Sequence, residues 1–150
     1  MATDVDTIER EILIEAPLSR VWNIVTRAEH LGTWFADAGA EIDLRPGGVL
    51  TLTWKEYGAH DGRVETVEPP HTFAFRWALR TGEPITDGNS TLVVFTLSAE
   101  GESTRLKVVE SGFTALAVDA AGRAKHIEEN TQGWRAELDE LRVYAESAGA

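Results

Sequence analysis

Apolar and polar residues alternate through the first two thirds of the chain, and this is the pattern of half-buried β-strands. Ile8, Ile12 and Ile14 fall in one phase of a first strand. Six later segments carry strand patterning, and turn residues such as those of Arg45–Gly48 separate them. These segments are residues 40–44, 50–54, 63–68, 73–77, 92–97 and 104–110. The short connections, one of them predicted over Gly58–Gly62, indicate antiparallel pairing.

Helical spacing replaces the alternation in two places. After Pro17, a short apolar face that includes Val21 and Trp22 predicts a short helix, and a second one follows over Glu29–Trp34. Near the end of the chain, apolar positions recur at intervals of three and four residues, which predicts an amphipathic helix of about five turns. These positions are Ile127, Thr131, Trp134, Leu138, Leu141 and Ala145. The same spacing directs most of the charged residues, including Glu129 and Glu137, to the solvent-exposed face of this helix.

The order of elements predicts the α+β fold class with one domain over residues 1–150. A seven-stranded curved antiparallel sheet has two short helices after its first strand and a long C-terminal helix across one face, which is the helix-grip arrangement. A curved sheet and a straight helix cannot touch along their whole length. We therefore expect a hydrophobic cavity between them.

Charge and composition narrow the classes of partner and site. The net charge of −11 opposes binding to phosphate backbones and to anionic lipid, so no nucleic-acid or membrane partner is expected. The absence of cysteine excludes disulfides, thiolate metal sites and a cysteine nucleophile. With no secretory signal and no span of about 18–20 apolar residues, we expect a cytoplasmic protein.

Motifs for metal or cofactor chemistry are missing from the sequence. The four histidines show no metal-ligand spacing on a shared face, and we expect no metal. Gly47 and Gly48 precede a strand rather than a helix, so they do not form a phosphate cradle. We expect no cofactor.

Glu110 is the most informative polar residue. Leu106, Val108 and Glu110 share one face of the last strand, whereas Arg105 and Lys107 mark the outer face. An inward carboxylate costs several kcal/mol unless it is paired, hydrogen-bonded or protonated. Two interpretations of Glu110 stay open. In the structural one, it lies at the solvent-exposed end of the strand or accepts a hydrogen bond from a backbone amide of the next turn. In the functional one, it anchors a ligand or accepts a proton from it.

The candidate cavity residues are those that the strand and helix phases direct inward, together with the end of the second short helix. They are Trp34, Phe35, Trp54, Phe75, Trp77, Phe95, Glu110, Phe113, Trp134 and Leu138. Aromatic rings with one polar edge suit a cavity wall, although plain core packing is the alternative for each of them. Gly133 costs roughly 1 kcal/mol inside a helix, which indicates either close approach by another group or neutral sequence drift. The segment Ser111–Lys125 is a candidate flap.

Several short stretches together resemble a known family. They are Glu15–Pro17 with Val21-Trp22, Ala28–Leu31 with Trp34-Phe35, Asp43–Gly48, Glu65–Pro70, Phe73–Trp77, Glu110–Phe113 and Asn130–Leu141. In order and spacing, the chain resembles a bacterial single-domain member of the Activator of Hsp90 ATPase homologue 1-like family, in the START/Bet v 1-like (SRPBCC) superfamily. The resemblance implies the helix-grip fold and a cavity between sheet and long helix, but no particular reaction.

Three functional hypotheses follow. The first is binding of a small, largely apolar or aromatic ligand in the cavity, with no reaction. The second is a cyclase- or hydrolase-like enzyme in which Glu110 acts as general base. The third is a stress-related module that modulates a chaperone ATPase in the manner of an Hsp90 co-chaperone. Small domains commonly form homodimers, so a second copy of this chain stays open as a partner.

Overall fold

The predicted order of elements is present in the computed structural model, which describes residues 6–79, 82–83, 85–86 and 88–147. The strands of these residues are β1 (Thr7–Ile14), β2 (Ala40–Ile42), β3 (Val49–Trp54), β4 (Gly58–Glu68), β5 (Thr72–Ala78), β6 (Ser90–Glu100) and β7 (Ser103–Ser111). The helices are α1 (Leu18–Thr26), α2 (Ala28–His30) and α3 (Ala120–Glu146), with a π-helical turn over Leu31–Phe35 and a 3₁₀ turn over Phe113–Ala115.

The strands form one antiparallel sheet in the order β1-β7-β6-β5-β4-β3-β2. Strands β2 to β7 follow one another as a meander, and β1 joins the far edge by pairing with β7. The helices α1 and α2 connect the two edges, and α3 packs against the sheet and the π-helical turn. The prediction of a curved seven-stranded sheet gripped by a long C-terminal helix is confirmed.

Strand phase decides which side chains enter the core between sheet and helix. Along β7, Leu106, Val108 and Glu110 are all buried, whereas Arg105 and Lys107 lie on the other face. The same two-residue period buries Phe73 and Phe75 on β5. The wide apolar face of the sheet therefore lies under α3, where the site is found.

The turn predicted over Gly58–Gly62 is wrong, because these residues begin β4. The chain reverses earlier, at residues 55–57, and Gly58 completes that turn with a positive φ of 87°. Gly62 has a different reason to be glycine. An added Cβ there would lie 3.2 Å from both the Leu50 side chain and the Arg76 carbonyl oxygen. The sheet is therefore packed too closely at this position for a larger side chain to fit without a shift.

The long helix begins earlier than the apolar spacing predicts. It runs for 27 residues from Ala120, and the Asp119 carboxylate caps it by accepting a hydrogen bond of 2.7 Å from the Gly122 amide. The segment Ser111–Lys125 is therefore not a continuous loop. Its last six residues are helical and its Phe113 is fully buried. In the part of the chain that the structure describes, no helix has the length and apolarity to cross a bilayer.

Candidate ligand-binding site

A cavity of about 430 Å³ lies between α3 and the half of the sheet that holds β3, β4 and β5. Phe35 of the π-helical turn, Trp54 at the end of β3, Trp77 at the end of β5 and Trp134 of α3 contribute its aromatic wall. Its volume is in the range of small-molecule sites, and its lining combines a few polar groups with broad apolar surface.

The π-helical turn explains why two adjacent aromatic residues both point inward. Trp34 and Phe35 are each buried. The Trp34 indole donates a hydrogen bond of 2.8 Å to the Ile24 carbonyl, which directs that ring toward α1. Phe35 instead lines the cavity, and its carbonyl accepts a hydrogen bond of 3.0 Å from the Trp54 indole. One turn thus supplies a ring to the core and a ring to the wall.

The aromatic wall is a contiguous cluster. Phe35 stacks on Trp77 at 5.8 Å and on Trp134 at 5.5 Å between ring centroids. Trp77 and Trp134 stack on each other at 5.8 Å, so β5 and α3 meet through their indoles. Trp54 meets Phe35 edge to face at 5.4 Å. Offset and edge-to-face pairs of this kind contribute about 0.5–1.5 kcal/mol each beyond burial, which holds the wall rigid.

Glu110 lies under this wall with none of its surface exposed. Its carboxylate accepts five hydrogen bonds from four side chains. The donors are the indoles of Trp77 (3.0 Å) and Trp134 (2.9 Å), the Thr91 hydroxyl (2.6 Å) and the Asn130 amide (3.0 and 3.1 Å). A carboxylate offers about four lone-pair sites, so these donors occupy its accepting capacity.

The Glu110 arrangement joins three strands and a helix at one point. Glu110 is on β7, Trp77 on β5, Thr91 on β6, and Asn130 and Trp134 on α3. Because charge-assisted hydrogen bonds are short and directional, the carboxylate fixes the planes of both indoles. Its geometric role is therefore to orient the aromatic wall from behind.

The polar part of the lining comes from α3 and from the hairpin of β3 and β4. His126, Asn130, Gly133 and Glu137 are spaced by three or four residues, so they share one face of α3. His60 of β4 faces them from the sheet side. Among the described residues, the buried His60 Nδ1 and Glu137 Oε2 atoms have no hydrogen-bond partner. Two polar atoms with unused bonding capacity therefore belong to the cavity lining.

A sequence model of the Activator of Hsp90 ATPase homolog 1-like protein family matches residues 15–146. This chain belongs to that family. The match confirms the resemblance drawn from the sequence. No protein of curated function matches the chain.

Solved structures place this family member among proteins of the same fold. MLL2253 from Mesorhizobium loti is 22% identical with a TM-score of 0.74, over 91% of this chain and 93% of that one. DynU16, from the dynemicin biosynthetic locus, is 23% identical with a TM-score of 0.75, over 96% of this chain and 48% of its own length. The Aha1 dimer from Colwellia psychrerythraea is 16% identical with a TM-score of 0.74, over 97% and 100%. These similarities establish the shared Bet v 1-like fold.

The family member's cavity takes in four of the ten residues predicted from the sequence, namely Phe35, Trp54, Trp77 and Trp134. Glu110 lies behind the wall and reaches the cavity through the residues that it bonds. The other five are buried without lining the cavity. They are Trp34, Phe75, Phe95, Phe113 and Leu138.

Most of the polar lining differs from the sequence prediction. His60 lies on β4 rather than in the predicted turn, and counting back in steps of two from the buried Val64 would direct it inward. Glu137 lies three residues from Trp134 on the same face of the helix, not on the solvent-exposed side that the sequence predicts. Thr91 carried no signal in the sequence. In the described residues, no group of three or more His, Asp or Glu side chains is placed to hold a metal ion.

Burial shifts the protonation of both unpartnered groups. Burial lowers the pKa of His60, and the charge of His126 lowers it further, so its ring is neutral at neutral pH. Burial raises the pKa of Glu137 to about 8, and the carboxylates of Glu140 and Asp37 add to the effect. Glu137 therefore holds its proton at neutral pH.

The raised pKa predicts a pH-dependent effect of Glu137→Gln on stability. The folded chain retains the Glu137 proton up to about pH 8, whereas the unfolded chain releases it near the ordinary value, so the wild type loses stability across that interval as pH rises. The variant avoids this loss. We expect it to match the wild type at pH 4 and to exceed it by about 1–2 kcal/mol at pH 8.5, after allowance for partial solvent access. Urea unfolding at both pH values measures the difference.

The matched control is Glu128→Gln, which removes an exposed carboxylate from the same helix. Its stability relative to the wild type should not change between the two pH values. A constant difference for Glu137→Gln across the same interval would contradict the assigned protonation.

Proposed function

We propose that this protein binds a small, largely apolar or aromatic molecule in the cavity between the sheet and α3. The observation that supports the proposal most directly is the aromatic wall of Phe35, Trp54, Trp77 and Trp134, whose rings are held by one another and by the buried Glu110. A planar ligand that packs against this wall would bury apolar surface of the ligand and of the protein. Burial of this kind stabilises a complex by roughly 25 cal/mol per Å² before ordering costs.

Preorganisation of the wall favours binding. Ordering a mobile side chain on association costs about 0.5–1.5 kcal/mol. The indoles of Trp54, Trp77 and Trp134 already donate hydrogen bonds to fixed partners, so their rotamers are set before a ligand arrives. Binding would therefore cost little further side-chain entropy at the wall.

Glu110 serves in this proposal as a positioning residue rather than as a base. A general base must come within hydrogen-bond reach of the proton that it removes. Four donors surround the Glu110 carboxylate, and three of them belong to residues that stand between it and the cavity, namely Trp77, Asn130 and Trp134. We therefore favour binding over base catalysis at this residue.

Gly133 provides a direct test of the site. The close approach expected at Gly133 is wrong, because this residue lines the cavity and an added Cβ would have no heavy atom within 4 Å. We expect Gly133→Leu to place its side chain across the cavity and to weaken binding of a neutral probe, 2-naphthalenemethanol, by about tenfold or more. The fold should be retained because glycine costs about 1 kcal/mol in a helix interior. Isothermal titration calorimetry measures the affinity.

The control is Gly133→Ala, which makes the same backbone change with a side chain too short to cross the cavity. It should raise the free energy of unfolding by about 0.5–1 kcal/mol and leave most of the affinity intact. Equal affinity of the wild type and Gly133→Leu would place the probe elsewhere. Absence of binding to the wild type would count against the proposed function itself.

A further inference from the structure

We infer that the cavity selects an organic cation, a protonated amine carried on an aromatic or apolar body. This inference rests on the proposed function and adds the chemical class of the ligand's polar group. Three independent features of the lining carry it: its formal charge, its two unpartnered polar atoms and the ring faces around them.

The acidic side chains of the lining are Glu129 and Glu137, and Glu137 is protonated in the free protein at neutral pH. No Lys or Arg contributes to the lining among the described residues. His60 is neutral at neutral pH, since its pKa is lowered. A carboxylate or phosphate ligand would therefore meet a like charge at Glu129, with no counter-ion from these residues, and would oppose ionisation of Glu137. A cation would meet the opposite charge of Glu129 and would favour ionisation of Glu137.

The two unpartnered atoms of the lining, His60 Nδ1 and Glu137 Oε2, can each accept a hydrogen bond from a ligand. The buried Nδ1 atom of the neutral His60 ring has no hydrogen-bond partner. Glu137 Oε2 is likewise buried with no partner. An ammonium group has three donors and no acceptor, so it can bond an imidazole nitrogen and a carboxylate at once. A carboxylate ligand has no donor for His60 Nδ1 and would keep Glu137 in its protonated form.

The aromatic wall adds a second attraction for a cation. Trp rings give the strongest cation–π contacts, worth most where water is excluded. Trp54 and Trp77 both neighbour His60, with ring centroids 5.5 and 6.0 Å away. An ammonium group beside His60 would therefore lie close to two indoles. The body of the ligand would remain against Phe35 and Trp134.

Binding of such a cation should release a proton. Glu137 holds its proton in the free protein at neutral pH, and an ammonium group favours its ionised form. The titratable groups around it are Asp37 and Glu140, which raise its pKa, and the other lining groups Tyr57, His60, His126 and Glu129. Affinity should therefore rise with pH toward 8, by up to about tenfold per pH unit.

Three probes with one ring system separate the alternatives: 2-naphthylmethylamine, 2-naphthalenemethanol and 2-naphthoate. Calorimetry with the full chain should give the amine an affinity about tenfold or more above that of the alcohol, with the carboxylate weakest. Titrations at pH 7 in two buffers of different ionisation enthalpy should show proton release with the amine and none with the alcohol.

Glu137→Gln should weaken binding of the amine about tenfold more than binding of the alcohol, and it should abolish proton release. Glu128→Gln, an exposed position on the same helix, should change none of these quantities. An alcohol that binds as tightly as the amine would overturn the selectivity for cations and leave the proposed function standing. Failure of all three probes to bind would overturn both.

Discussion

Replacing Glu110 with leucine is expected to lower the free energy of unfolding by about 3–5 kcal/mol. The substitution removes the shared acceptor of two indole N–H groups, a hydroxyl and a side-chain amide. The Thr91 and Trp134 donors lose it in a buried place, whereas Trp77 and Asn130 are part-buried and the Trp77 N–H keeps its hydrogen bond to Thr91. Each buried donor that loses its partner costs about 1–3 kcal/mol, and relaxation recovers part of the sum. Urea unfolding followed by tryptophan fluorescence gives the value.

Glu110→Gln tests the same point with less risk to folding. The amide keeps the shape of the side chain but has one acceptor oxygen, and its NH₂ group faces donors. An intermediate loss of about 2–3 kcal/mol is expected, with altered near-ultraviolet circular dichroism because the indoles lose their fixed planes. Glu102→Gln, in the exposed turn before β7, is the control and should lie within about 0.5 kcal/mol of the wild type. A similarly small effect at Glu110 would contradict its role.

Trp134→Ala should have the second largest effect, because this ring belongs both to the core and to the cavity. It stacks on Phe35 and Trp77, meets Phe95 edge to face and donates to Glu110. We expect a loss of about 3–5 kcal/mol in the free energy of unfolding and a loss of about 100-fold in affinity for 2-naphthalenemethanol. Chemical unfolding and calorimetry at a temperature where the variant is folded measure the two quantities.

Two companion variants divide these effects. Trp134→Phe keeps a stacked ring but removes the donor to Glu110, so it should retain more affinity than the alanine variant. Trp22→Phe alters a buried indole of α1 that does not line the cavity, and it should leave affinity unchanged. If Trp22→Phe and Trp134→Ala weakened the probe equally, the cavity would not be the binding site.

The fold was predictable because its signals are local. Strand alternation, turn residues and the spacing of Trp134, Leu138 and Leu141 each depend on neighbours in sequence, and each matches an element of the structure. The exceptions have local causes as well. Glycine marks a turn at Gly58 but tight packing at Gly62, and the sequence alone does not distinguish these two uses.

The candidate site was predictable only in part, because its contacts are distant in sequence. Strand phase directed Glu110 inward, which agrees with its burial. The donors that satisfy it come from β5, β6 and α3, and Trp77 is 33 residues away along the chain. Neither of the two interpretations of Glu110 included such a network. Periodicity reports which face a residue occupies, but it does not report which side chains from other elements meet it there.

The π-helical turn has a consequence for redesign of the pocket. Trp34 anchors α1 through the Ile24 carbonyl, whereas Phe35 holds Trp54 through its backbone carbonyl rather than through its ring. The Phe35 side chain can therefore be exchanged for a smaller one without loss of either hydrogen bond, although its stacking on Trp77 and Trp134 is lost. Variation at this residue would change the shape of the pocket while the two hydrogen bonds that fix the surrounding chain persist.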